Sequence, residues 1–138
     1  MGRIGMGLEV AEMVEVQVVR EAAMTASAAT TPGMDRRQAF ADGEAWVGTV
    51  TTEAGVLTGW HAHPEYDTYV YVLSGNVVVE SGPGGRRSDT AGPRDFVRIP
   101  RGLVHREGTA AGSNGVEAVI VRVGHGELVV NRDGPEPG

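Results

Sequence analysis

The chain has 138 residues, which suits one domain around one core. Its formal net charge of −6 repels a phosphate backbone, and no basic stripe offsets that repulsion, so nucleic-acid binding is disfavoured. The absence of cysteine removes disulfides, zinc knuckles and thiol catalysis, and leaves nitrogen and oxygen as the available metal ligands.

Residues 1–12 read as a flexible leader in which Met6 is a candidate start, as is Met13 just after it. MGRIGMGLEV is too broken by glycine for a signal peptide, and no apolar run reaches membrane-spanning length, so a cytoplasmic location is expected. Residues 13–131 then form a single domain, followed by a polar tail over 132–138. VEVQVVR (Val14–Arg20) alternates valine with polar residues and predicts a half-buried strand. Ala22–Thr31 has little pattern and reads as a surface connection. Thr31–Phe40 holds a Pro-Gly turn and then a short helix capped by Asp35.

Strand signals follow at short intervals. They fall at Ala45–Thr52, Asp67–Leu73, Asn76–Glu80, Phe96–Pro100, Val116–Gly124 and Gly126–Val130. Ser74–Gly75 between two of them has the spacing of a tight hairpin. The Gly/Pro-rich stretch Ser81–Asp95 has room for a short strand at Arg87–Thr90. With 21 glycines, 7 prolines and no long amphipathic helix, this rhythm predicts an all-β antiparallel sandwich or small barrel.

The chemistry sits in the histidines, of which there are 4: His61, His63, His105 and His125. Residues i and i+2 of a strand share a face, about 7 Å apart along it, so His61 and His63 can converge on one ion where that face is concave. His105 follows the turn PRGLVH, and three neutral imidazoles would leave coordination positions open to water or substrate. Glu107, two residues on, shares the His105 face of a regular strand, where it is a candidate proton shuttle or, alternatively, a rim salt-bridge partner. Val70, Val72, Val97 and Ile99 read as core walls. Tyr69 and Tyr71 alternate with those valines and are expected to pack against a second sheet or a partner subunit, Trp46 and Trp60 read as packing more than pocket lining, and His125 as an exposed turn residue.

The surrounding spacing resembles the cupin superfamily, and specifically its small single-domain bacterial members. The first cupin motif runs Gly, five residues, His-x-His, three or four residues, Glu, six residues, Gly. Residues 55–75 match it with Gly55, His61, His63 and Gly75, and place Thr68 at the glutamate position. The second motif runs Gly, five residues, Pro-x-Gly, two residues, His, three residues, Asn. Residues 94–109 match it with Pro100, Gly102 and His105, with Arg94 for the first glycine and Thr109 for the asparagine.

This resemblance implies a double-stranded β-helix, or jelly-roll barrel, with His61, His63 and His105 directed inward onto one divalent transition metal (Fe, Mn, Ni or Zn). Thr68 is a poor ligand for a hard ion, because its hydroxyl is neutral. Alternation sends the nearby carboxylate of Asp67 to the other face, and Glu65 is not expected to bind either. The implied function is a metal-dependent enzyme on a small organic molecule, with a quercetinase-like dioxygenase, an oxidoreductase, as the leading form. A redox-neutral isomerase or lyase, or a non-catalytic cupin that holds a small ligand, are the alternatives. A homodimer is expected, with the Val14–Arg20 strand crossing to the partner.

Overall fold

Apolar and polar residues alternate with a period of two through most of the chain, and the structure, a computed structural model, turns that alternation into two facing sheets. It describes residues 14–27, 31–126 and 129–137. In chain order the strands are β1 (Thr25–Ala26), β2 (Met34–Ala41), β3 (Ala45–Thr52), β4 (His61–Ala62), β5 (Tyr66–Ser74), β6 (Val77–Ser81), β7 (Arg87–Ala91), β8 (Phe96–Ile99), β9 (Arg106–Thr109), β10 (Val116–Gly124) and β11 (Val130–Asn131). The expected all-β antiparallel architecture is what forms.

The larger sheet has the order β1-β2-β3-β10-β5-β8. The second layer is built from β7-β6-β9 and β11-β4, joined by isolated bridges at Leu57↔Gly108 and His61↔His105. Those bridges run the Val56–Ala62 segment alongside β9. Gly108 is needed here because a Cβ on it would collide with the backbone carbonyl of Val56.

The core lies between the layers. It gathers Trp46 and Val50 from β3, Val72 from β5, Val77 and Val79 from β6, Ile99 from β8, and Val116, Ala118 and Ile120 from β10. Val72 and Ala118 are wholly buried. Burying a valine side chain of this kind stabilises by roughly 1.5–3 kcal/mol.

Three expectations are corrected. Val14–Arg20 forms no strand, and Val14, Val16 and Val18 are 77%, 93% and 67% exposed: alternation alone cannot make a strand without a neighbour to pair with. The predicted helix after the Pro-Gly turn is instead β2, which pairs along β3 from Met34↔Thr52 to Ala41↔Trp46. Ser74–Gly75 is not a hairpin, since β5 pairs with β10 and β8 while β6 pairs with β7 and β9. The chain crosses from one layer to the other at Gly75, whose φ of 78° and contact with the Gly115 carbonyl admit no side chain. The polar tail, for its part, is hydrogen-bonded to the fold, with Arg132 N–H donating to Trp60 O (3.0 Å) and Gly84 N–H to Glu136 O (2.8 Å).

The short strand expected within the Gly/Pro-rich stretch is β7. Of the expected Gly126–Val130 strand only Val130 is in a strand, as the first residue of β11, and residues 127 and 128 lie outside the described part. The leader 1–12 and both candidate starts also lie outside it.

Arg94 is the one described non-glycine residue with positive φ, at 74°, where the family motif has glycine. A left-handed backbone costs an L-residue about 1–2 kcal/mol, partly offset by the extra chain entropy that glycine loses on folding. Arg94→Gly should therefore stabilise by about 0.5–1 kcal/mol, raising the melting temperature by a few degrees and leaving metal affinity unchanged. Calorimetry checks this, and a lowered melting temperature would contradict it.

Candidate metal centre

The centre is assembled by backbone pairing before any side chain is considered. His61 and His105 exchange both backbone hydrogen bonds, His61 N–H to His105 O and His105 N–H to His61 O, each 2.9 Å. Gly102 N–H donates to His63 O at 2.9 Å, which fixes the turn before His105 against the third histidine. That turn is also held from outside by Asp67, whose carboxylate accepts from Arg101 N–H (3.0 Å), Arg101 Nη2 (3.1 Å) and Arg98 Nη2 (3.4 Å). Asp67 thus faces away from the centre as alternation requires, and these contacts depress its pKa.

The three rings converge. His61, His63 and His105 are all buried, His105 completely, and each offers a nitrogen within 4.8 Å of the others. Ring centroids lie 4.3 Å apart for His61–His105, 5.1 Å for His61–His63 and 5.3 Å for His63–His105.

Two of the rings are tautomerically fixed. His61 Nδ1 lies 2.9 Å from Gly59 O, and His105 Nδ1 lies 2.9 Å from Leu103 O. A carbonyl oxygen only accepts, so Nδ1 carries the proton in both rings and Nε2 presents a lone pair.

Glu107 brings a carboxylate to those lone pairs. Its oxygens stand 2.6 Å from His105 Nε2 and 3.7 Å from His61 Nε2. The sequence placed Glu107 on the His105 face, and it is there, although the hydrogen-bond alignment is poor: His105 Nε2 and Glu107 Oε2 are buried without a hydrogen-bond partner.

Acceptor facing acceptor in a buried site is repulsive, and a cation between them relieves it. Nitrogen and carboxylate oxygen donors with no sulfur suit a divalent transition ion. The donor set therefore fits a metal bound by His61, His63 and His105. Thr68 is buried opposite, with Oγ1 also lacking a hydrogen-bond partner.

In the metal-free protein a proton on His61 is favoured by the Glu107 carboxylate. Burial pushes the His61 pKa down, but Glu107 outweighs it and the net shift is upward. Burial likewise pushes Glu107 up, and His105 and His61 hold it well below the usual carboxylate range.

Sequence reasoning missed two arginines beside the site. Arg122 continues the inward phase of Val116, Ala118 and Ile120 on β10, and Arg36 lies on the inward face of β2. A charged residue in phase with an apolar face was the available signal for Arg122. Arg36 was hidden by the helix reading. Trp46 is buried packing, donating from Nε1 to Gln38 Oε1 at 2.9 Å, and Trp60 packs under Arg106. Tyr69 faces outward, Tyr71 stacks on Phe96 at 4.6 Å, and His125 is exposed. Thr109 has a structural task, donating from its hydroxyl to Glu53 O at 2.8 Å.

No protein-family model and no curated protein matches the sequence. Solved structures do match in shape. A conserved Klebsiella pneumoniae protein with a double-stranded β-helix domain superposes with a TM-score of 0.65 at 16% identity, covering 85% of this chain and 97% of that one. The chain has the cupin fold.

A cupin-2 domain protein from Shewanella frigidimarina (TM-score 0.54, 17% identity, 64% and 78% covered) is similar too, as is KdgF from Halomonas (0.56, 19%, 69% and 84%). Bacillus subtilis oxalate decarboxylase matches over 74% of the present chain but 29% of its own, with a TM-score of 0.62 and 17% identity. Among the described residues no helix is long and apolar enough to cross a membrane.

Divalent metal should stabilise this fold with a definite pH slope. The raised His61 pKa stabilises the metal-free fold fully below the unfolded value of 6.5, and that contribution is lost as pH rises through the folded value. Metal requires neutral rings, so its contribution runs the other way. At metal about 100-fold above Kd the gain is about 2.7 kcal/mol, a rise of several degrees in melting temperature at pH 7.5 that shrinks at pH 5.5. His63→Ala should abolish the rise. A variant that keeps full metal content by elemental analysis would refute the ligand assignment.

Proposed function

We propose that this cupin is a metal-dependent enzyme acting on a small organic molecule, with His61, His63 and His105 as metal ligands and Glu107 as the proton-transferring group. The observation that carries the reading is the facing of the fixed His61 and His105 Nε2 lone pairs and the Glu107 carboxylate, beside a largely apolar cavity that Glu107 and His63 line. A divalent ion held there would polarise a coordinated oxygen and, if redox-active, would support chemistry with dioxygen.

The protein's own contribution follows from its residues. His61 and His105 are oriented by their carbonyl partners, so little reorganisation accompanies binding. Glu107 is ionised, sits among the ligands and can accept a proton from a substrate carbon or hydroxyl. Val70, Val97 and Ile99 line the cavity, keep water out and strengthen every charge interaction within it.

Dioxygenase-type cleavage of a flavonol, catechol or β-diketone is the form to test first. Glu107 itself favours a second, redox-neutral reading, in which the same base moves a proton for isomerisation or elimination. Oxygen uptake by protein loaded in turn with Fe(II), Mn(II), Ni(II) and Zn(II) separates the two. Substrate consumed without oxygen selects the redox-neutral form, and failure to bind any of these ions ends the enzymatic reading. Glu107→Gln should lower turnover by about 10²–10⁴-fold while metal content stays near wild type. Loss of metal together with activity would make Glu107 a ligand instead.

We also propose that the cupin pairs with a second copy. Val14, Val16 and Val18, together with Phe96 at 79% exposed, leave apolar surface that association would cover. Gel filtration with light scattering should give a dimer, and truncation before Arg20 should shift it toward monomer. A monomer at all concentrations would refute this.

A further inference from the structure

The cavity faced by His63 and Glu107 is lined on its other side by Arg36, Thr68 and Arg122. Arg122 is 6% exposed, yet among the described residues its guanidinium makes no hydrogen bond or ion pair, and Nε is buried without a partner. It rests against the Trp46 ring, 5.2 Å from the centroid. Burial, and then the charge of Arg36, push its pKa down against a smaller opposing pull from Glu107. A guanidinium nonetheless stays protonated, and an unpaired buried ion carries a large desolvation penalty.

Thr68 stands directly across from Arg122 in the β5–β10 register, with its own hydroxyl unpartnered. Arg36 makes only long contacts, Nη1 to Thr31 Oγ1 at 3.3 Å and Nη2 to Met34 Sδ at 3.4 Å. Two cations thus face the cavity against one carboxylate, and Glu107 is turned to His61 and His105. The unmet donors ask for an anion with two acceptor oxygens.

We propose that Arg122, with Thr68 and Arg36, receives a carboxylate group of the ligand in the cavity that His63 and Glu107 also line. The substrate class is therefore a small organic acid. The cavity of about 40 Å³ has room for a group of a few heavy atoms, since a single water needs roughly 10–15 Å³. The proposal rests on the metal-centre reading for the rest of the substrate, whose carbonyl or hydroxyl would lie toward the histidines. The anion contact itself needs no metal.

The assignment also accounts for Thr68. A glutamate there would stand opposite Arg122 and neutralise it. The hydroxyl leaves the guanidinium open and adds a donor of its own.

The test compares isosteric acids and amides, acetate with acetamide and glycolate with glycolamide. Each is titrated calorimetrically into the full chain, metal-free and loaded with Mn(II). Acids should bind at least about tenfold tighter than amides in both states, because charge-assisted hydrogen bonds to arginine are lost with the amide. Arg122→Gln should erase the preference while Mn(II) content stays near wild type, and Thr68→Val should weaken acid binding severalfold. Should Arg122→Gln not fold, Arg122→Lys keeps the charge and loses the fork, and should also weaken acid binding severalfold. Equal affinity for acid and amide, or a preference that survives at Arg122→Gln, overturns the anion site and leaves the metal reading standing. Failure of Mn(II) to bind counts against the metal reading, while the metal-free titrations still decide the anion site.

Discussion

The pair of backbone hydrogen bonds exchanged by His61 and His105 is the constraint on which the site depends. Each bond is 2.9 Å, and together they place two ligand-bearing residues directly opposite one another although 43 positions separate them in sequence. In an antiparallel pair of this kind the two side chains leave on the same face. The rings meet because the backbones do. The Gly102–His63 bond and the Asp67 contacts to Arg98 and Arg101 then brace the turn that delivers His105, so the convergence is set by the sheets and not by the rings' mutual attraction.

Around that frame the charges have a particular distribution. Where the cupin pattern has a carboxylate on β5, this chain has a hydroxyl at Thr68, and the carboxylate among the histidines comes instead from β9, at Glu107. Both positions face the same cavity. The exchange keeps one negative group among the imidazoles but moves it away from Arg122, which stands across from Thr68. A carboxylate at position 68 would have met that cation internally. With Glu107 drawn to the His61 and His105 nitrogens, the arginine side of the cavity is left positive and the histidine side holds the base.

Much of this was legible in the sequence and some was not, for reasons tied to particular residues. The His-x-His pair, the Pro-x-Gly turn and His105 were legible because each motif is local and its spacing reflects strand and turn geometry. Glu107 followed from the two-residue period once His105 was placed. β2 was misread because its inward residues, Met34, Arg36 and Gln38, include a cation and an amide, which hide the alternation, while Asp35 mimics a helix cap. Val14–Arg20 erred in the other direction, with clean alternation and no strand beside it. The hairpin at Ser74–Gly75 failed because loop length reports the turn, whereas the choice between continuing in one layer and crossing to the other is made by distant strands. Pairing partners are a property of the whole chain.

These misreadings and the site share a cause. A sandwich interior selects apolar residues at inward positions, and this one places His63, Thr68, Glu107 and Arg122 there, with Arg36 beside them. Each costs folding free energy by desolvation, which the Glu107–His105 contact and the Arg122–Trp46 packing recover only in part, leaving atoms of Thr68, His105, Glu107 and Arg122 without hydrogen-bond partners. Elsewhere the core is conventional, built from valine, isoleucine, alanine and one tryptophan. Among the described residues these groups gather at and beside one cavity, with Glu107 and His105 on the histidine side and Arg122 with the Thr68 hydroxyl on the arginine side. Random polar substitution of a core would scatter them. Confinement and segregation are what a binding site for a cation and an anion together requires, and the departures from core composition therefore mark the function more closely than the core itself does.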